Sequence, residues 1–199
     1  AAINSWAPPK SVDGETATTS RGVGAHQKHL ATGTIGKSVK CQECHLVPSQ
    51  SYISGHFDSP LPAEVVMMDT LALTVTNKTA TTDYDSNLPL FTPLPLLSSS
   101  SLKCSNVYCH GYFKNGNTTN EPTWTGGSDE IKCGTCHGDT SKPTLVERAL
   151  PKTSTTGGTH GSFSFCSCHS DVVDNNLNII NKAKHINGKL NVFGSERDF

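Results

Sequence analysis

The sequence predicts a mostly irregular fold, low in secondary structure, with small helices and a few short strands wrapped around embedded prosthetic groups. Three observations predict it. Only 34% of the 199 residues are hydrophobic, a composition too poor in Leu, Ile and Val to build an ordinary interior. Glycine, proline, serine and threonine interrupt nearly every periodic run. And four times a cysteine pair runs straight into a histidine. The runs are Cys41-Gln-Glu-Cys44-His45, Cys104-Ser-Asn-Val-Tyr-Cys109-His110, Cys133-Gly-Thr-Cys136-His137 and Cys166-Ser-Cys168-His169, and together they use all eight cysteines.

C-x-x-C-H is the attachment signature of a c-type haem. Each thiol adds to a vinyl group of the ring, and the histidine that follows ligates the iron. The expectation is four covalently attached haems, held by Cys41, Cys44, Cys104, Cys109, Cys133, Cys136, Cys166 and Cys168. The proximal ligands are then His45, His110, His137 and His169. About 50 residues are available to wrap each ring, so the haems would form the core and the polypeptide its covering. Two rival readings exist. Disulfides suit an even cysteine count in a secreted chain, but they need no histidine after the second cysteine. A Cys₄ zinc site from Cys41, Cys44, Cys133 and Cys136 leaves the other four cysteines and all four histidines unexplained.

The spacings differ. The first and third motifs have the standard form. The second has four residues between its cysteines, so its loop must bulge to keep the same two sulfur positions. The fourth has one, and double attachment there needs a stretched backbone. The alternative is a single thioether through Cys168, with Cys166 free.

Five histidines remain for the far side of the irons: His26, His29, His56, His160 and His185. Five candidates for four places favours bis-histidine ligation, with one surplus. His26 and His29 lie three residues apart, on neighbouring faces of a helix. They serve two adjacent haems, or one is spare. Met67 and Met68, the only methionines, sit in a strand-like segment and suit packing against a ring rather than ligation, which would raise the potential. Full ligation leaves no open iron position and argues against an enzyme.

Along the chain, residues 1–25 read as an extended N-terminal arm. Residues 26–199 form one tetrahaem domain, with a first haem module over 26–85 and a three-haem module over 103–190. Leu71 to Thr76 alternates as a strand, with Thr79 to Asp85 as its antiparallel return. Residues 86–102 read as an irregular linker. Asp174 to Lys184 is the best helix candidate, feeding His185, and Asn187 to Phe199 is a turn and tail. The segments after His56 and His185 resemble each other, each leading into a β-like run (Ala63 to Met67, Lys189 to Phe193). Gly111, Gly134 and Gly138 flank motifs and let the backbone come close to a ring. Lys40, Lys103 and Lys132 each precede a motif, where an ammonium would compensate an anionic propionate; an ordinary solvated lysine is the alternative. Trp6 and Trp124 are candidates to cover haem edges or to pack in the core. Asn77 and Asn117 head Asn-x-Ser/Thr sequons expected to be idle.

The net charge of −1 gives no basic surface for nucleic acid. No apolar run reaches the length of a membrane span. The start at Ala1-Ala2 suggests a processed N-terminus, and thioether attachment happens outside the cytoplasm. A secreted, extracellular or cell-surface location is expected, with the periplasm as the alternative.

At these motifs the chain resembles the multihaem c-type cytochromes of metal-reducing bacteria that mix C-x-x-x-x-C-H with C-x-x-C-H. The resemblance lies in Gly24-Ala-His-Gln-Lys-His-Leu30, Cys41 to His45, Gly55-His-Phe-Asp58, Cys104 to Gly111, Pro122-Thr-Trp124 and Cys133 to Gly138. Cys166-Ser-Cys168 departs from the pattern. Four haems on about 200 residues also resembles the extracellular cytochrome filaments. That resemblance implies a homopolymer in which one subunit lends a histidine to its neighbour's iron. Three functions follow: a filament subunit conducting electrons to redox partners or an extracellular acceptor, a monomeric tetrahaem carrier, and a multihaem reductase with one open iron.

Overall fold

A computed structural model of the chain describes residues 10–50, 52, 65–67, 72, 95–113, 116–138, 143 and 166–197. Its regular elements are short, as the composition predicts, and most are built on the cysteine motifs. Residues 10–25 run through reverse turns rather than staying extended. Ser11 Oγ accepts the Glu15 N–H at 3.1 Å, and the Ser20 carbonyl takes the N–H groups of Val23 and Gly24. The second turn leads into helix α1 (His26–Leu30). A helix of one turn is not stable by itself, so packing must hold it.

Each motif folds as a single helical turn. Cys41–Glu43, Tyr108–His110 and Ser167–His169 are 3₁₀ turns, and Cys133–Cys136 is α-helical (α2). In every case the histidine N–H closes the turn. His45 bonds to Cys41 O at 2.9 Å, His137 to Cys133 O at 3.2 Å, His110 to Val107 O at 3.0 Å and His169 to Cys166 O at 2.8 Å. The bulge expected in the second motif is visible in these bonds. Its turn begins only at Val107, Cys104 lies in a strand, and Asn106 reverses the chain at φ +58, a conformation that asparagine tolerates.

Strand β1 (Leu96–Leu97) pairs antiparallel with β2 (Cys104–Ser105), Leu96 opposite Ser105 and Leu97 opposite Cys104. Residues 122–124 extend the same patch: Lys103 bridges Thr123, and the Trp124 N–H donates to Leu102 O at 2.7 Å. Part of the segment read as an irregular linker, 86–102, is therefore strand and turn. At the C-terminal end, β3 (Leu190–Val192) and β4 (Ser195–Arg197) form a hairpin where a tail was expected. Phe193 and Gly194, both with positive φ, make its two-residue loop.

The helix expected over Asp174 to Lys184 does not form. Asp174 Oδ1 accepts the N–H groups of Asn176 (2.9 Å) and Asn178 (2.8 Å), Leu177 takes φ +63, and Val173 bridges Ile179. A side chain that captures local N–H groups competes with the helix, and three asparagines follow Asp174 within four residues. Residues 65–67 are not in a strand. The expected strand Leu71 to Thr76 lies outside the described residues except for Ala72, as do Thr79 to Asp85, His56, His160, Trp6, Met68 and Asn77.

Among the described residues the buried apolar cluster is small. Met67, Ala72 and Val107 are buried together, lined by Val65, Leu97, Cys104 and Cys109. Met67 thus packs within this apolar cluster, although its segment is not the strand expected. Among the described residues no large side chain is completely buried, and no helix is long and apolar enough to cross a membrane.

Motifs two and three are fastened backbone to backbone. The Asn117 N–H donates to Cys136 O at 2.9 Å, its Nδ2 to Thr135 O at 2.9 Å, and Asn120 Nδ2 to His110 O at 2.7 Å. Asn117, noted only as a sequon, is a structural staple. Gly111 permits the approach: at φ +112, an added Cβ would stand 2.7 Å from Cys136 O and 2.8 Å from Asn117 O. The glycine serves contact between motifs, a role not foreseen for it. Gly194, at φ +74, has open space around it. Gly194→Ala should therefore cost about 1 kcal/mol of backbone strain, and Gly111→Ala roughly 3 kcal/mol or more because strain and collision add. Thermal melts of the two variants check the difference, and equal losses would contradict it.

Candidate functional site

Four histidines are oriented by backbone carbonyls. His26 Nδ1 donates to Val23 O at 2.9 Å and His29 Nδ1 to Ala25 O at 3.0 Å. His185 Nδ1 donates to Ile35 O at 2.6 Å and His169 Nδ1 to Asn191 O at 2.5 Å. A carbonyl only accepts, so these bonds place the proton on Nδ1 and leave the Nε2 lone pair for a metal, the usual second partner of a metal-bound imidazole.

The rings then meet in pairs. His26 faces His45 with centroids 6.1 Å apart, His29 faces His110 at 5.9 Å, and His137 faces His185 at 6.0 Å. Each pair joins a histidine that closes a cysteine motif to one of the remaining five. A metal about 2.0 Å from each of two imidazole nitrogens puts the ring centres about 6.2 Å apart. The pairs fit an iron held between two imidazoles, and the second cysteine of each of these motifs stands on the turn that its histidine closes. His26 and His29, three residues apart on α1, face two different motifs, so the one-turn helix addresses both. The structure does not bring His56 or His160 into view, since both lie outside the described residues.

Burial sets the charge state. It pushes His110 down to about 4, with His29 adding to the effect, and His137 to about 4, with His185 and His169 adding. Burial also lowers His26, partly offset by its bond to Val23 and reinforced by His45 and His29, and it lowers His185 against its bond to Ile35. These rings are neutral at neutral pH, the form that ligates.

No disulfide joins any of the eight cysteines. Burial, followed by Glu43 and Cys41, raises Cys44 to about 11. Burial and then Cys44 raise Cys104 to about 11. Burial followed by Glu43, Cys44 and Cys136 takes Cys109 to about 12. Burial and then Cys133 and Cys168 raise Cys166. Such surroundings penalise a thiolate and suit a neutral sulfur, the state of a thioether. They also give the spatial order. Motif one neighbours two through Cys44, two neighbours three through Cys109 and Cys136, and three neighbours four through Cys133 and Cys166. No group of three or more His, Cys, Asp or Glu side chains gathers as a metal cage among the described residues.

Several contributors carry no sequence signal. Buried Glu43 accepts the Ala72 N–H at 3.2 Å beside Cys44 and Cys109. Tyr108 Oη accepts the Gly188 N–H at 3.1 Å, tying motif two to the turn after His185. Lys184 Nζ meets Asp171 at 2.8 Å and holds its carboxyl below the usual range, linking that turn to motif four. Asn191, also buried, spans the same two segments: its carbonyl takes His169 and its Nδ2 donates to Lys184 O at 3.0 Å. A polar residue inside a short strand gives no hint of this in sequence. Of the lysines before the motifs, Lys103 pairs with Glu121 at 3.9 Å and Lys132 with Asp129 at 2.9 Å, while Lys40 is exposed.

Residues 103–137 match the family described as the Geobacter CxxxxCH...CXXCH motif. The matched segment holds Cys104, Cys109, His110, Cys133, Cys136 and His137. It supports a multihaem c-type cytochrome family and indicates covalent c-type haem binding. No curated protein and no solved structure matches the chain.

The pH response follows from the lowered histidines. His110 and His137 protonate at about 4 in the fold and near 6.5 when unfolded. Between those values the unfolded chain binds more protons, so stability rises with pH across the window. Their contribution is complete above about pH 6.5, shrinks as pH falls, and is gone below about 4. In haem-loaded protein each ring must leave the iron before it takes a proton, so in an acid titration the low-spin visible bands should persist at pH 5 and fade only below about pH 4. A midpoint near 6.5 would contradict the buried setting.

Proposed function

We propose that the chain is an electron-transfer cytochrome carrying four covalently attached haems, each gripped by two histidines. The single observation that carries this reading is the spacing of the three imidazole pairs, 5.9 to 6.1 Å. The attachment residues are Cys41 and Cys44, Cys104 and Cys109, Cys133 and Cys136, and Cys166 and Cys168. The proximal and distal ligands are His45 with His26, His110 with His29, and His137 with His185. His169 is the fourth proximal ligand. Its partner comes from His56 or His160, the two histidines that the other pairs do not use. When bound, each haem supplies a reversible one-electron couple whose potential the axial imidazoles and their hydrogen bonds set.

The chain's own residues hold the imidazoles neutral, aim their Nε2 atoms and keep neighbouring motifs in contact. Closely spaced motifs in the order one, two, three, four suit a relay rather than an isolated centre. Saturated coordination leaves no iron position for a substrate, so the protein is not read as an enzyme. The surplus of one distal histidine supports assembly. A subunit with two candidates for one place has a ligand to lend to its neighbour, which makes an open head-to-tail polymer the favoured reading. Covalent haem maturation outside the cytoplasm is consistent with such a filament at the cell surface or beyond, the periplasm being the alternative, with an extracellular acceptor or redox proteins as partners.

Mass spectrometry of native protein should find four haems, and fewer than four would break the assignment. Electron microscopy of the same material should show filaments, and uniform monomers would return the carrier reading. The ligand assignment has its own test. Wild-type protein should bind no carbon monoxide after reduction, and His185→Ala should bind about one equivalent per chain, the count set by one opened iron. Carbon monoxide binding by the wild type would instead favour a reductase.

A further inference from the structure

Trp124 is the residue in this region that the proposed function leaves unused. Its indole stands against both imidazoles of α1. It meets His26 edge to face, with centroids 4.7 Å apart and planes at 89°, and lies over His29 at 5.8 Å and 27°. The placement is built from several sides. The Trp124 N–H bonds to Leu102 O, two residues before Cys104, so the indole is carried on the same small patch of strands as motif two. Its Nε1–H donates to Arg21 O at 2.8 Å, in the turn leading into α1. Gly24 opens the slot: at φ +43, an added Cβ would come within 1.9 Å of Nε1.

The two imidazoles so held make different angles with their partners. His26 and His45 are near parallel, at 22°, whereas His29 and His110 are close to perpendicular, at 74°. On one short helix, with identical ligand chemistry, the ring planes are set apart. The relative angle of two axial imidazoles controls how the iron d orbitals split. Near-parallel planes give a rhombic low-spin signal, and near-perpendicular planes give a strongly anisotropic one.

Resting on the haem reading above, we propose that Trp124 is a positioning residue. It fixes the planes of His26 and His29 and so makes two electronically distinct sites from one ligand set. Because no bond joins the indole to an imidazole nitrogen, its action is through contact alone. A residue of this kind tunes a site without changing its ligands, in the way that outer partners orient metal-bound histidines.

The test is electron paramagnetic resonance of oxidised, haem-loaded protein, with haem count taken on the same samples by mass spectrometry. Wild type should show a strongly anisotropic low-spin signal from His29–His110, alongside rhombic signals from His26–His45 and His137–His185, the last pair at 29°, and the signal of the fourth haem at His169. Trp124→Ala should lose the anisotropic signal while keeping every haem, and Trp124→Phe should restore it in large part. Gly24→Ala keeps the tryptophan in the chain but closes its slot and displaces the indole, and should give the same loss. It also serves if Trp124→Ala does not accumulate. The His137–His185 signal should stay unchanged throughout. A haem-replete Trp124→Ala or Gly24→Ala protein with the wild-type spectrum would overturn the proposal, as would an equal change in all signals, which is general loosening. A low haem count in the wild type would instead sink the reading on which it rests.

Discussion

In the proposed reading an iron accepts an imidazole on each side, which would fix the distance between two rings that the chain brings from different parts of its length. His26 reaches His45 within one segment, but His29 must meet His110 and His185 must meet His137. The rest of the described structure serves this demand. Carbonyls of Val23, Ala25 and Ile35 turn the distal rings, and Tyr108 holds the turn that carries His185. Asn117 and Asn120 keep motifs two and three in contact. The polypeptide's own apolar cluster is minor, built around Met67, Ala72 and Val107. Its specificity comes from directed hydrogen bonds rather than from a large packed interior.

The arrangement also explains why buried ionisable groups are tolerated. Taking an imidazole out of water penalises its cation, which is the form that does not ligate. Burial and function therefore act in the same direction at His110 and His137. The same holds for the thiols of Cys44, Cys104 and Cys109, which the fold keeps neutral. The Lys184–Asp171 pair beside His169 keeps its two charges together.

The low-regularity fold class was legible because composition and cysteine spacing are both local. So were the helical turns at the motifs and the loop that widens the second one. The pairing of histidines was not, since nothing in the text around His29 says that it faces His110 while His26 faces His45. Asp174 misled the reading of its segment as the best helix candidate, since its carboxylate instead bound the N–H groups of Asn176 and Asn178. The structural roles of Asn117, Asn191 and Glu43 escaped the sequence because a staple between distant backbones leaves no pattern in it. Gly24 and Trp124 were both within the recognised motif text. Their mutual fit depends on a contact across about 100 positions, beyond the reach of local periodicity.

The account stands on iron lying between particular pairs of rings. The most direct measurement is an experimental structure of haem-loaded protein with anomalous scattering collected at the iron edge. It should place iron peaks midway between His26 and His45, His29 and His110, and His137 and His185, with a fourth beside His169. Peaks absent from these positions, or irons paired with other residues, would contradict it.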